Sequence, residues 1–355
     1  MASPGSTVSP LIMRVLAASV SVSYRAGSII REILKAGDLG IVEKGKNDLQ
    51  TEADRAAQRC IVATLHRHFP KVAIIGEESL DPTDKIPDDY IVKELSQDVL
   101  SIACPDVYKN VTDDQIVIWV DPLDGTAEFT QGLLDHVTVL IGVAVNGEAK
   151  GGVIYQPYYN YQAGSDAALG RCIWGLIGLG SFGFALKSPP ENKNVITTTR
   201  SHADWIVTEA VNACEPTEVV KVGGAGHKVL LLLEGRAHAY VFASKGCKKW
   251  DTCAPEAVLH AVGGRMTDLL GRPILYHQKV QHQNSGGVLA TLHKHQWYVD
   301  KMPTIIKSGF VSDTASEEMV RLQQKAKDAA GLVPSGNTLV KEGSSVDPPE
   351  FNKTK

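Results

Sequence analysis

Apolar residues recur at helical spacing through the first part of the chain. Leu11, Val15, Ile29, Ile33 and Leu34 mark one stripe, Arg14, Arg25 and Arg31 interrupt it, and Gly37 closes the run. The spacing predicts a core-facing amphipathic helix ending at that glycine, too long and too charged for a secretory leader. Residues 51–68 repeat the period, with Ala57, Ile61 and Leu65 on one face behind Thr51 as N-cap. Continuous apolar runs then take over. VAIIG at 72–76 and IVIWV at 116–120 read as buried strands, and the polar segment 79–115 between them as a surface insertion with a short helix near 90–100. VTVLIGVAV (137–145) and AKGGVIYQ (149–156), joined at Asn146-Gly147, read as a hairpin. Strand-like segments continue to NVITTT at 194–199.

Beyond that point helix and strand alternate. Helices are expected at 203–213 and 225–234, strands at 218–222 and 237–243, and a further helix from near Asp251 to Gly263-Gly264. The change places a domain boundary near 195, with an α+β part before it and an α/β part over 196–310. From about 311 apolar anchors are few, and partial disorder is expected.

Composition narrows the function classes. The chain has 355 residues, 43% hydrophobic and 21% charged, enough for two joined globular units. A net charge of −4 argues against a nucleic-acid partner. No run of about 18 apolar residues exists, so neither a transmembrane helix nor a membrane partner is expected. Six cysteines without a CxxC pair read as free thiols in a reducing compartment, the cytoplasm. His66/His68 and His293/His295, each spaced by two, fall on different helix faces and make poor zinc pairs.

Candidate chemistry gathers where elements end. IVIWV runs into Asp121, Pro122, Leu123, Asp124, Gly125 and Thr126. Two carboxylates three residues apart in a turn can converge on one point, where a hard cation such as Mg²⁺ relieves their repulsion. Asp-Pro and Asp-Gly are also ordinary turn pairs. VAIIG likewise runs into Glu77 and Glu78. Asp251 stands just before a helix and Asp54 in the first turn of one, where capping and dipole compensation are the competing roles. In VGGAGHK, glycines before a helix and Lys228 could hold an anion. TTTRSH offers Thr199, Ser201 and His202 as polar donors, although Ser201 could equally cap a helix.

Together WVDPLDGT, GEE upstream and WDTCAPEA downstream resemble the lithium-sensitive, Mg²⁺-dependent phosphatase superfamily. That group includes inositol monophosphatase, inositol polyphosphate 1-phosphatase, fructose-1,6-bisphosphatase and the bisphosphate nucleotidases. GDLGIVEK, DLQTEADRAAQ, DHVTVLIG, QPYYNYQAG, ITTTRSH, VGGAGHK and YVFASKGCKKWDTCAPE extend the resemblance to the bisphosphate nucleotidase branch over roughly residues 10–305. It implies a layered α-β-α-β-α sandwich. It also implies Mg²⁺ ions, about two or three, on Glu77, Asp121, the Leu123 carbonyl, Asp124 and Asp251. Asp54 and Thr126 match the pair that orients or deprotonates the attacking water, and Thr199, His202, Gly224 and Lys228 match nucleotide contacts. The implied reaction turns adenosine 3',5'-bisphosphate into AMP and phosphate, with the 5'-phosphosulfate analogue as a second substrate and inhibition by lithium. The alternative is an inositol polyphosphate 1-phosphatase acting on inositol 1,4-bisphosphate. A non-catalytic nucleotide sensor would be free to lose Asp54, Thr126 or a ligand acid, and this sequence keeps them all. His227 departs from the pattern, where a smaller polar residue is expected.

Overall fold

The computed structural model describes residues 8–45, 48–81, 83, 85–163, 169–201 and 204–309. The tail expected to be disordered from about 311 lies outside these residues. In chain order the elements are α1 (Leu11–Ala36), β1 (Val42–Gly45), β2 (Asp48–Gln50), α2 (Glu52–His68), β3 (Ala73–Gly76), α3 (Gln97–Leu100), β4 (Ile116–Asp124), α4 (Thr126–Thr130), β5 (Thr138–Val145), β6 (Glu148–Gln156), β7 (Arg171–Leu176) and β8 (Gly180–Phe182). There follow β9 (Val195–Thr199), α5 (Trp205–Ala213), β10 (Glu218–Val222), α6 (Ala225–Leu233), β11 (Ala239–Phe242), α7 (Lys249–Ala261), β12 (Arg265–Thr267), β13 (Val288–Thr291), α8 (His295–Lys301) and α9 (Thr304–Gly309).

Two sheets organise the core. The first has the order β3-β4-β5-β6-β7-β8, with β3 parallel to β4 and the rest antiparallel. The second has the order β10-β9-β11-β13-β12, with β10, β9 and β11 parallel. Helices α1 and α2 cover one face of the first sheet, and α6 and α7 lie between the two sheets. Helices α5 and α8 cover the outer face of the second sheet. The layering is therefore α-β-α-β-α, as expected. Each layer follows from its strands being apolar on both faces: all nine residues of β4 and all eight of β5 are buried, so each face needs a cover.

The structure departs from the sequence reading in instructive ways. α1 is buried almost all round between Leu11 and Ile30, not on one stripe. Its extra cover comes from α2 and from the segment read as a surface insertion. There Val99 and Tyr108 are buried, and the Ser96 amide bonds the Ala17 carbonyl at 3.2 Å. Segment 79–115 is thus a lid on α1 rather than an appendage. Strand β4 does not stop at Val120 but continues to Asp124. Pairing with β5 slips between Asp121 and Asp124, where one extra residue is accommodated opposite β5. Pro122 cannot donate to the ladder, and a bulge is where a strand tolerates it. The turn comes one residue later, at Gly125.

Candidate active site

Parallel strands send their C-terminal ends to the same side. β3 and β4 deliver Glu77 and Asp124, while β9 and β11 deliver Thr199 and Phe242. The start of α7 brings Asp251 to the same place. These residues line one cavity of about 160 Å³, together with Thr126, Glu128, Gly224 and Lys228.

Glu77, Asp124 and Asp251 form one wall. Asp121 is buried behind it, and its Oδ1 accepts the Leu123 amide at 3.0 Å. Burial first, then the charges of Glu77, Asp124 and Asp251, push the Asp121 carboxyl well above the ordinary range. Burial and the nearby Asp251 raise Glu77 to about 8. Burial and Asp251 raise Asp124 to about 6, against hydrogen bonds from Thr138 and Ala225 that favour its charge. Among the described residues, no three His, Cys, Asp or Glu side chains already form a closed metal cage. The fold supplies a concentration of carboxylates that repel one another.

Asp251 lies inside α7, at the third residue of its first turn, not before it. Its Oδ2 accepts the Lys248 amide at 2.6 Å. Asp54 occupies the same position in α2, its Oδ2 accepting the Thr51 amide at 2.7 Å while the Thr51 hydroxyl accepts from Ala53. Capping occupies only one of the two carboxylate oxygens of Asp54. Its Oδ1 faces the Thr126 hydroxyl at 3.0 Å, and that hydroxyl also lies 3.1 Å from the Leu123 carbonyl. Asp54 is fully buried, and burial outweighs the bonds from Thr51 and Thr126 to raise it to about 6.

Asp124 reaches across to the start of α6. Its carboxylate accepts the Ala225 and Gly226 amides, each at 2.8 Å, and the Thr138 hydroxyl at 2.7 Å. The anion at the start of α6 is therefore the protein's own carboxylate, 101 residues away in sequence. Lys228 is buried against the ring of Tyr240, 5.4 Å from its centroid, and donates to the Gly224 carbonyl at 3.0 Å. Burial lowers its pKa, opposed by Asp124 and Glu128. Ser201 lines the cavity and does not cap α5. Asp204 does that, accepting the Val207 amide at 2.8 Å. His202 lies outside the described residues. His227 is buried and stacks on His136 with centroids 4.8 Å apart, behind the glycines rather than in the cavity.

The structure adds two residues to those singled out from the sequence. Lys44, in the exposed hairpin β1–β2, sends Nζ to within 3.1 Å of Glu77 Oε1 and 2.8 Å of Glu78 Oε1. Burial works against its charge, yet the two glutamates hold its pKa above the ordinary value. Glu78 is thereby a supporting residue: it also takes Gln50, and its amide bonds Gln58 at 2.9 Å. The second is Glu128, within α4.

Residues 12–304 match the inositol monophosphatase family. A human protein named 3'(2'),5'-bisphosphate nucleotidase 1 is 54% identical over 302 residues, covering 85% of this chain and 98% of that protein. Its namesake in Dictyostelium discoideum is 38% identical, covering 81% of this chain and 96% of that protein. Among solved structures, the extragenic suppressor protein suhB from Bartonella henselae superimposes with a TM-score of 0.60 at 21% identity, covering 81% of this chain and 98% of that one.

Proposed function

The chain belongs to the inositol monophosphatase family, and we propose that within it this protein hydrolyses adenosine 3',5'-bisphosphate to AMP and inorganic phosphate. The observation that carries the reading is the Thr126 hydroxyl, shared between Asp54 and the Leu123 carbonyl beside the acidic wall. Relatives that share most of the chain are named for bisphosphate nucleotides, which supports the nucleotide over an inositol phosphate.

The donor set fits a divalent cation. Glu77, Asp121, Asp124, Asp251 and the Leu123 carbonyl offer oxygen only, the ligand type Mg²⁺ takes, and four acids so close repel without a cation. We assign them to about two or three Mg²⁺ ions. When bound, the ions supply charge neutralisation for the phosphate and a lowered pKa for water.

The chain's own residues do the rest. Thr51 fixes Asp54 so that Oδ1 points at Thr126. The Thr126 hydroxyl takes a proton from water as it passes its own to Asp54. With a pKa of about 6, Asp54 is charged at neutral pH and still basic enough to receive it. Nothing in this sequence of steps uses a covalent intermediate. Lys228 on α6, with Thr199 and Ser201 at the end of β9, lines the cavity and holds the remainder of the substrate. The six thiols are unpaired, which is in keeping with a cytoplasmic protein.

The test is phosphate release from adenosine 3',5'-bisphosphate and from inositol 1,4-bisphosphate, with Mg²⁺ and with EDTA. Mg²⁺-dependent release favouring the nucleotide is expected. Release from the inositol phosphate alone would overturn the reading.

A further inference from the structure

Glu128 is 3% exposed and lines the cavity, yet its Oε1 has no hydrogen-bond partner. Arg200 Nη1 is 3.6 Å away, beyond hydrogen-bond reach, and donates instead to Gln131 Oε1 at 2.8 Å. The side chain is built into place. A Cβ on Gly223 would stand 1.9 Å from Glu128 Cδ, so residue 223 has to be glycine for the carboxylate to lie there. The Gly223 amide cannot serve it, because it donates to His136 Nδ1 at 3.2 Å. A buried acceptor without a donor is costly, and a ligand group is one way to satisfy it.

We propose that Glu128 accepts a hydrogen bond from the free hydroxyl next to the scissile phosphate, making it a specificity-determining residue for a cis-diol monoester. The assignment rests on the nucleotide reading above. A carboxylate only accepts, so Glu128 repels phosphate oxygens and selects a donor. On a nucleoside bisphosphate the donors are the ribose hydroxyl and the base amine. Glu128 and Thr126 stand two residues apart on α4, their Cα atoms at most about 7 Å apart, and both line the cavity. Thr126 works at the scissile phosphate, so Glu128 reaches the carbon beside it, whereas the base amine is at the far end of the molecule. For a 3'-phosphate that donor is the 2'-hydroxyl, and for a 2'-phosphate it is the 3'-hydroxyl, so one acceptor serves both isomers.

The experiment compares kcat/KM for adenosine 3',5'-bisphosphate and its 2'-deoxy analogue in the wild type and in Glu128→Leu, which keeps most of the side-chain volume and removes its acceptor. A site built to bond a hydroxyl rejects the analogue lacking it, so the wild type should prefer the ribonucleotide by about 10-fold or more. Glu128→Leu should bring that preference close to unity, whereas Glu128→Gln, which keeps one acceptor oxygen, should retain part of it. A wild type indifferent to the 2'-hydroxyl overturns the proposal without any variant. So does a Glu128→Leu enzyme that loses equally on both substrates, since a merely structural role moves both alike. Failure of the nucleotide reading looks different: the wild type would then release phosphate from neither nucleotide but would release it from inositol 1,4-bisphosphate.

Discussion

Gly142 and Gly152 face each other across the β5–β6 pair, and α7 lies directly on them. A Cβ at Gly142 would stand 2.5 Å from Cys253 Cβ, and one at Gly152 2.5 Å from the Ala254 carbonyl oxygen. The paired glycines set the height of α7 above the first sheet. Asp251 rides on that helix, so its distance from Asp121 and Glu77 is set by two hydrogens.

Gly152→Val should push α7 off the sheet. Overpacking of this kind costs about 1–3 kcal/mol. Phosphate release, measured well below the unfolding temperature, should also fall, because Asp251 moves with the helix. Lowered thermal stability with unchanged activity would separate α7 packing from the acidic wall.

Asp121 and Asp124 should part company when each is replaced by Asn. Both variants should lose phosphate release. Asp124→Asn gives up carboxylate bonds to the Ala225 and Gly226 amides and to Thr138, a loss of about 1–3 kcal/mol for buried partners left unsatisfied. Asp121→Asn removes a charge that its neighbours oppose. Thermal unfolding in EDTA should therefore show Asp124→Asn less stable than wild type and Asp121→Asn at least as stable. The reverse order would contradict the assignment of Asp124 as the cap of α6.

Protons and Mg²⁺ should compete for the wall. Glu77 is raised to about 8 from an unfolded value of about 4.3. The folded state then binds more protons than the unfolded state between those values. This contribution to stability is full below the unfolded pKa and is lost as pH rises through about 8. Buried His227, depressed to about 3, and His260 and His295, to about 4, act oppositely below their unfolded pKa of about 6.5. Above that pH they are neutral in both states. In EDTA, stability should therefore fall from about pH 6.5 to about 9, with Glu256, also raised to about 8, adding to the fall. Mg²⁺ should stabilise the protein more at the alkaline end. A Mg²⁺ increment in melting temperature that does not change with pH would count against Glu77 as a ligand.

Much of this architecture could be read from residue patterns. α1, α2, the β5–β6 hairpin and α6 appear where apolar spacing and turn residues put them, because each has a strong period or a clear stop. Long-range ties left no trace. Lys44 sits in a hairpin whose first strand is wholly exposed, so nothing periodic marks it, and its partners are 33 and 34 residues away. The cap on α6 was invisible for a similar reason: Asp124 is a candidate ligand by its turn, and only the packing of the two sheets brings it to Ala225. Asp54 and Asp251 each had two readings: both make the capping bond, and Asp54 also meets Thr126 while Asp251 also lines the cavity. Glu128 follows WVDPLDGT by two residues, but an acid in the first turn of a short helix has no pattern of its own, and only its burial against Gly223 distinguishes it.

In the proposed mechanism Asp54 and Thr126 act as one proton relay. It is tested most directly by kcat/KM for adenosine 3',5'-bisphosphate at saturating Mg²⁺ in the wild type, Asp54→Asn, Thr126→Val and the double variant. Each single change should cost about 10²-fold or more, mostly in kcat, since general-base help contributes on that scale. Residues that work as a unit are not additive, so the double variant should be no worse than the poorer single one. Losses that multiply in the double variant, or an Asp54→Asn enzyme of ordinary rate, would contradict the relay.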